Sequence, residues 1–300
     1  MFFDYKYLPN YTEPLYRPPS EAYSLIFQIT EGCSYNGCTF CGMYITKKFK
    51  IKPVEEVKKE IDRIPENYRN QVTKIFLADG DAAIYPTNEL SEILDYITLK
   101  FPKLRRISAY AGPHAIISKN ETEWKRLYNK GLKLLYFGLE SGNNTVLELM
   151  KKGMQADLIE PYCIMLRKIG IKLSVMVILG GGGKKYSDEH AIDSGKWITR
   201  VNPEFFSLLT LFIRRKKDYF DKIEAPTIGG LMNEAKLMIE NVNGQNIIFR
   251  SNHISNFVSL KGTLSKDKIK IINTIDNAIA TLKLKNQFDL VPDFYQEGML

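Results

Sequence analysis

Residues 32–44 read GCSYNGCTFCGMY and carry three of the chain's four cysteines. Thiolates packed this closely are soft ligands, which select zinc, copper(I) or iron–sulfur clusters. A disulfide framework asks for an even number of cysteines and an oxidising compartment. A structural zinc site asks for four ligands, and the remaining cysteine, Cys163, falls in a distant helical pattern and reads as a small buried residue. Cys33, Cys38 and Cys41, spaced C-x4-C-x2-C, would leave one iron of a cubane open to an exchangeable ligand, which suits catalysis. Asn36-Gly37 inside the turn can adopt positive φ and let the backbone wrap tightly around such a group.

The elements that must position this turn follow from periodicity. SLIFQIT (24–30) is a strand that runs straight into it. Strands are also expected at TKIFLA (73–78), LRRISAYA (104–111), KLLYFGL (133–139), IKLSVMVILGGGG (171–183) and EFFSLLTLFI (204–213). Between them, helical spacing marks 53–64, 87–101, 119–131, TVLELMKKG with 158–170, and 187–200, with Thr87 and Ser187 as expected N-caps. Strand–helix alternation of this kind predicts right-handed crossovers and an α/β fold with a parallel sheet, open or curled into a barrel. After residue 213 the pattern changes to a charged run, a helix, a short strand at NIIFRSNH and a long amphipathic helix at 265–284. Residues 1–213 therefore read as the core with an N-terminal arm, and 214–300 as a C-terminal extension packed on it.

Function in parallel α/β folds gathers at the C-terminal strand ends. The cysteine turn, Asp79-Gly80-Asp81, the ESGNN loop at 140–144, the glycines 180–183 and the cations 214–217 all follow strands and so share one expected face. The glycine run is no phosphate loop, because neither Ile178 nor Lys185 fits G-x-x-x-x-G-K-[ST]. Arg250, Ser251, Asn252 and His253 form the densest polar group of the tail, either closing over substrate or making a polar turn. His114 follows the third strand and can face the site; His190 reads as solvent-facing or structural.

Composition is ordinary for a globular chain, 44% hydrophobic and 25% charged, with no repeat. No basic–apolar leader is present, no apolar run approaches the ~20 residues of a membrane span, and the clustered thiols suit a reducing, cytoplasmic setting. The net charge of +8 fits either a solvated lysine-rich surface or an acidic partner: a nucleic acid, an anionic substrate or an acidic electron carrier.

Strand, three-cysteine turn and repeated βα units resemble the radical S-adenosylmethionine (SAM) superfamily over roughly residues 20–215. The usual spacing there is C-x3-C-x2-C with an aromatic before the last cysteine. Phe40 takes that aromatic place, and the chain's turn is one residue longer. FGLESGNNTVLELMKKG (137–153) is similar to the corresponding segment of methylthiotransferase-like and cobalamin-dependent branches, whose extra domains have no counterpart here. The resemblance implies a partial (β/α)6, TIM-like barrel and a [4Fe–4S] cluster on Cys33, Cys38 and Cys41, with SAM on the open iron. It implies reductive cleavage of SAM to a 5′-deoxyadenosyl radical that abstracts hydrogen from a substrate. Asp79, Gly80 and Asp81 fall where the family holds the methionine amino group. Glu140, with Ser141 beside it, falls where the family contacts SAM, so its carboxylate would accept from ribose hydroxyls. Met43 and Gly180 fall where the family's backbone meets adenine, although Gly180 reads equally well as a turn. With Cys163 distant, only one cubane can be built.

The reading is a single radical SAM enzyme acting on a small or anionic substrate. Arg214 with its cationic neighbours would face that substrate or an acidic flavodoxin or ferredoxin, and Arg250, Asn252 and His253 would add substrate contacts. The rival is a non-catalytic zinc protein with a basic nucleic-acid-binding surface.

Overall fold

The computed structural model describes residues 9–212 and 219–295. In chain order the elements begin with β1 (Leu25–Gln28), β2 (Thr30–Glu31), β3 (Lys50–Ile51), α1 (Val54–Asp62), α2 (Glu66–Arg69), β4 (Lys74–Ala78) and α3 (Thr87–Lys100). They continue with β5 (Arg106–Tyr110), α4 (Pro113–Ile117), α5 (Glu121–Asn129), β6 (Leu132–Glu140), α6 (Asn144–Leu149), α7 (Ala156–Ile169) and β7 (Lys172–Leu179). The last are α8 (Ser187–Val201), β8 (Phe205–Thr210), α9 (Ile228–Glu240), β9 (Ile248–Ser251), β10 (Leu260–Thr263) and α10 (Leu264–Leu284).

One eight-stranded sheet runs in the order β1-β4-β5-β6-β7-β8-β9-β10, and β2-β3 form a separate ribbon. β1–β4, β4–β5, β5–β6, β7–β8 and β8–β9 are parallel, whereas β9–β10 and the β2–β3 ribbon are antiparallel. This is the α/β architecture expected from strand–helix alternation, with β10 added to the six strands and the short tail strand anticipated. The short strand expected in the tail is β9, and it joins the same sheet beside β8.

By contacts the chain groups into two compact units, Met1–Asn36, Met43–Phe137 and Tyr162–Leu173 in one, Gly37–Gly42, Gly138–Pro161 and Ser174–Leu300 in the other. In the first unit every residue of β1 is buried, as are Ile75–Ala78 of β4, which is why both read as continuous apolar runs. Val57 and Ile61 of α1 and Leu90, Ile93, Leu94 and Ile97 of α3 recur at helical spacing and are fully buried. Each such side chain contributes roughly 1.5–3 kcal/mol of burial. α5 opens on a capping box between Asn120 and Glu123 rather than at Lys119. In the second unit Val175 and Val177 of β7, Phe206 and Leu208 of β8, Phe249 of β9 and Trp197 of α8 make the core. The Trp197 indole N–H donates to the Ala156 carbonyl at 2.8 Å.

Two expected caps differ. Thr87 and Ser187 are the first residues of α3 and α8, not their caps; Pro86 and Tyr186 take the N-cap positions. For Ser187 the reason is visible, since its hydroxyl donates to the Glu234 carboxylate at 2.6 Å instead of folding back on its own helix. Among the described residues no helix is long and apolar enough to cross a membrane.

Gly142, in the loop between β6 and α6, lies against the backbone of α8: a Cβ there would sit 2.6 Å from both Asp193 O and Ser194 Cα. Its N–H also donates to Ser194 Oγ at 2.8 Å. Gly142→Ala should therefore destabilise the protein by about 1–3 kcal/mol through overpacking against backbone that cannot swing aside. A lowered urea midpoint with unchanged slope is the expected result.

Candidate cofactor site

In the first unit, the turn after β4 grips the start of the cysteine turn. The Gly32 N–H donates to Asp79 Oδ2 at 2.9 Å, and the Ser34 hydroxyl donates to Asp81 Oδ2. The Gly80 N–H donates to the Gly32 carbonyl at 3.1 Å. Both neighbours of Cys33 are thus held by the carboxylates that flank Gly80. Asp79 Oδ2 also accepts from Gln28 Nε2 at 2.9 Å and Lys47 Nζ at 2.8 Å, and Asp81 Oδ1 accepts from the Gly112 N–H at 2.6 Å. Burial pushes both carboxyls above the usual Asp value, against the pull of these donors. Asp79 Oδ1 is buried and has no hydrogen-bond partner among the described residues. Gly80 is packed against Tyr44 and Cys33, where a Cβ would meet Tyr44 Cε2 at 2.6 Å and Cys33 Cβ at 3.3 Å. The far end of the turn is tied back by Asn36 Nδ2, which donates to the Tyr44 carbonyl at 2.9 Å. Met43 is exposed and Tyr44 is buried. The His114 ring lies 5.0 Å from that of Tyr35.

In the second unit, the Cys38–Cys41 end of the turn docks on the residues after β6. The Thr39 N–H donates to the Met150 carbonyl at 2.9 Å, and its hydroxyl to the Leu149 carbonyl at 3.1 Å. Phe40 packs on the cluster of Val146, Met150, Leu211 and Tyr219. Lys152 Nζ donates to Glu140 Oε1 at 2.7 Å, with each side chain only 12% exposed. Burial alone would lower the Lys152 pKa, but Glu140 and the Cys38 and Cys41 thiols outweigh it and raise the group above its ordinary value. Glu140 itself has φ +65°, an uncommon backbone state for a residue with a side chain, of the sort found at ligand clamps.

Behind Glu140 lies a buried polar chain. Ser141 Oγ is 2.7 Å from His190 Nδ1, and His190 Nε2 is 3.0 Å from the Ile178 carbonyl. A carbonyl only accepts, so Nε2 carries the proton and Ser141 donates to Nδ1. His190 Nε2 is 3.6 Å from Glu234 Oε1, and Glu234 accepts from the Gly180 N–H at 2.7 Å. His190 is fully buried, which settles its role as structural rather than solvent-facing. Gly180 has φ +78°, and a Cβ would meet Tyr295 Oη at 2.5 Å and Leu231 Cδ2 at 2.9 Å, which only a glycine accommodates.

Arg214 lies outside the described residues. Arg250 is exposed on β9 and lines, with Lys261 and Lys270, an open groove of about 490 Å³. Asn252 is exposed, and His253 Nδ1 lies 2.8 Å from Ser255 Oγ. Sequence reasoning missed Lys152 and Glu234. Glu234 sits at helical spacing with buried Leu231 and Met238, a signal that was present; Lys152 carried none outside the resemblance.

The four cysteines are thiols, and among the described residues no three His, Cys, Asp or Glu side chains converge as a site for a single metal ion. A single zinc would draw all its thiolates to one centre about 2.3 Å away, whereas a cubane takes one thiolate per iron. By chemistry alone, thiols are donors of the kind an iron–sulfur cluster takes, and the orphaned buried Asp79 oxygen is an acceptor of the kind an amine-bearing ligand takes.

The family model described as the radical SAM superfamily matches residues 27–195. Among solved structures the chain is similar to HydG, a maturase of the [FeFe]-hydrogenase (TM-score 0.50, 15% identity, covering 74% of this chain and 50% of that one). It is also similar to the radical S-adenosylmethionine methyltransferase TsrM from Kitasatospora setae (0.50, 18%, 63% and 36%). The cobalamin-dependent S-adenosylmethionine radical enzyme OxsB gives 0.51 and 16%, over 92% of this chain and 37% of that one. The chain thus spans half the matched HydG chain and less of the other two, and at these identities the likeness is one of fold. No curated protein matches.

The buried chain yields a pH prediction. Burial pushes Glu234 up from 4.5 to about 7, helped by Asp188, and pulls His190 down from 6.5 to about 4 against Asp193. Between about pH 4.5 and 6.5 the native Glu234 holds a proton that the unfolded chain has lost, so its contribution to stability falls as pH rises. In the same window the native His190 lacks a proton that the unfolded chain binds, so its contribution rises with pH. The two slopes oppose, each up to about 1.4 kcal/mol per pH unit. Glu234→Gln keeps an acceptor for Gly180 and should leave the His190 slope alone. Urea melts at pH 5, 6 and 7 should show the variant gaining stability with pH relative to wild type; parallel profiles would contradict the pairing.

Proposed function

The chain belongs to the radical SAM superfamily, and from that membership we propose that Cys33, Cys38 and Cys41 bind a [4Fe–4S] cluster whose remaining iron takes SAM. When bound and reduced, that pair supplies an electron to the sulfonium and thereby a 5′-deoxyadenosyl radical able to abstract hydrogen. The observation that carries the reading is the double grip on the cysteine turn, by Asp79 and Asp81 around Cys33 and by Leu149 and Met150 on Thr39.

The chain's own groups then divide the work. The carboxylates of Asp79 and Asp81 hold the turn, while Asp79 Oδ1 and the carbonyls at 79–81 are what this loop can offer the SAM ammonium. Glu140, at the end of β6, is placed to accept from ribose hydroxyls, and Ser141 anchors it from behind through His190. Met43 supplies backbone for adenine. Hydrogen abstraction needs water excluded from the radical, and Phe40 with Tyr219 and Met150 provides apolar cover on the cysteine side.

A small or anionic substrate and an acidic one-electron donor, flavodoxin or ferredoxin, suit the net charge of +8. The cations at Arg250, Lys261 and Lys270 would serve an anionic group, with Asn252 and His253 beside them. The alternative, a zinc protein with a basic nucleic-acid-binding surface, is disfavoured by the family match over residues 27–195.

After anaerobic reconstitution, Cys33→Ala, Cys38→Ala and Cys41→Ala should each lose bound iron and sulfide, whereas Cys163→Ala should retain both. Wild type given SAM and dithionite should release 5′-deoxyadenosine. A colourless wild type, or cluster loss confined to Cys163→Ala, would discard the assignment.

A further inference from the structure

Lys152, a buried cation that interacts electrostatically with Cys38 and Cys41, has no role in the scheme above. Thr39 bonds to the carbonyls of Leu149 and Met150, and this docks the turn two residues before Lys152. Lys151 at φ +47° and Gly153 at φ +72° flank Lys152 in left-handed conformations, and the Lys152 N–H closes the turn on the Leu147 carbonyl at 2.9 Å. The side chain lies over the Phe40 ring and against Glu140. Its Nζ lies 6.0 Å from the centroid of the Phe40 ring, between the two cysteines in sequence, and within electrostatic reach of both thiols. Among the described residues the carboxylate paired with Lys152 is Glu140, at 2.7 Å, and with 12% exposure on each side chain solvent screens neither charge strongly.

We propose that Lys152 is a positioning residue that raises the reduction potential of the cluster, with Glu140 as the counter-charge that holds the rise in check. The inference rests on Cys38 and Cys41 being cluster ligands. Reduction adds one electron, so a fixed cation beside the cluster stabilises the reduced form more than the oxidised form. A carboxylate at the same place does the reverse. The two charges therefore act with opposite sign on one measurable quantity. A residue that merely packs would not show this pattern.

The test uses reconstituted full-length protein without SAM, titrated with a reductant and followed by electron paramagnetic resonance. Lys152→Met should move the midpoint to more negative potential by on the order of tenfold in the reduction equilibrium, about 59 mV for one electron. Lys152→Arg keeps the charge and should stay at the wild-type midpoint. Glu140→Gln should move the midpoint in the positive direction. Unmoved midpoints, shifts of the same sign in Lys152→Met and Glu140→Gln, or equal shifts in Lys152→Met and Lys152→Arg overturn the proposal while leaving the cluster assignment intact. If Lys152→Met takes up no cluster, the sign of the Glu140→Gln shift decides. A wild type that binds no iron and sulfide overturns the cluster assignment, and this inference with it.

Discussion

Two carboxylates buried side by side in sequence, at the end of a parallel strand, must each be satisfied or they would cost several kcal/mol. Asp79 Oδ2 and Asp81 meet that demand, largely with donors near Cys33 in sequence, namely Gly32, Ser34, Gln28 and Lys47, while Asp79 Oδ1 is left without a partner among the described residues. The geometry of the first cysteine is therefore a by-product of keeping these charges solvated by the protein. Gly80, between them, is the one residue whose side chain is excluded, by Tyr44 and Cys33.

The same economy of buried charge recurs around β6. Glu140 leaves the strand in a left-handed conformation, and Lys152 meets it. One residue on, Ser141 begins a chain of hydrogen bonds through His190 toward Glu234, which in turn fixes the Gly180 N–H. Neutral His190 and protonated Glu234 let this chain be buried without a net charge near neutrality. Strand-end loops that read in sequence as separate motifs, ESGNN and the glycine run, are thus parts of one polar network.

What could be seen in the sequence was the set of elements that depend on local periodicity. β1, β4 and β7 are legible because parallel strands are buried on both faces, and α1 and α3 because their apolar residues recur at helical spacing. The cysteine turn was legible as chemistry by type and spacing, whereas Glu140 stood out only through the resemblance. Ser187 misled because a strong N-cap residue can be taken by a partner far along the chain, here Glu234. The bonds of Asp79 and Asp81, and the ion pair of Lys152, depend on residues 12 to 51 positions away. Propensity carries no trace of such pairings; only the register of β1 on β4 and the turn after α6 create them.

The cysteine turn has almost no conformational preference of its own. Its fixed points are the Ser34 hydroxyl, the Gly32 N–H and Thr39, and their partners all lie outside the turn; Asn36 to Tyr44 and Cys33 to the Tyr35 carbonyl are internal ties. Residues 32–44 are therefore a poor candidate for grafting. Cut out as a peptide, or installed in a host lacking the Asp-Gly-Asp corner and the carbonyls of Leu149 and Met150, the three thiols would be free chain ends in search of each other. Backbone ordering at roughly 1–2 kcal/mol per residue would then fall wholly on the metal–thiolate bonds. Portability, in this fold, belongs to the scaffold and not to the motif that names it.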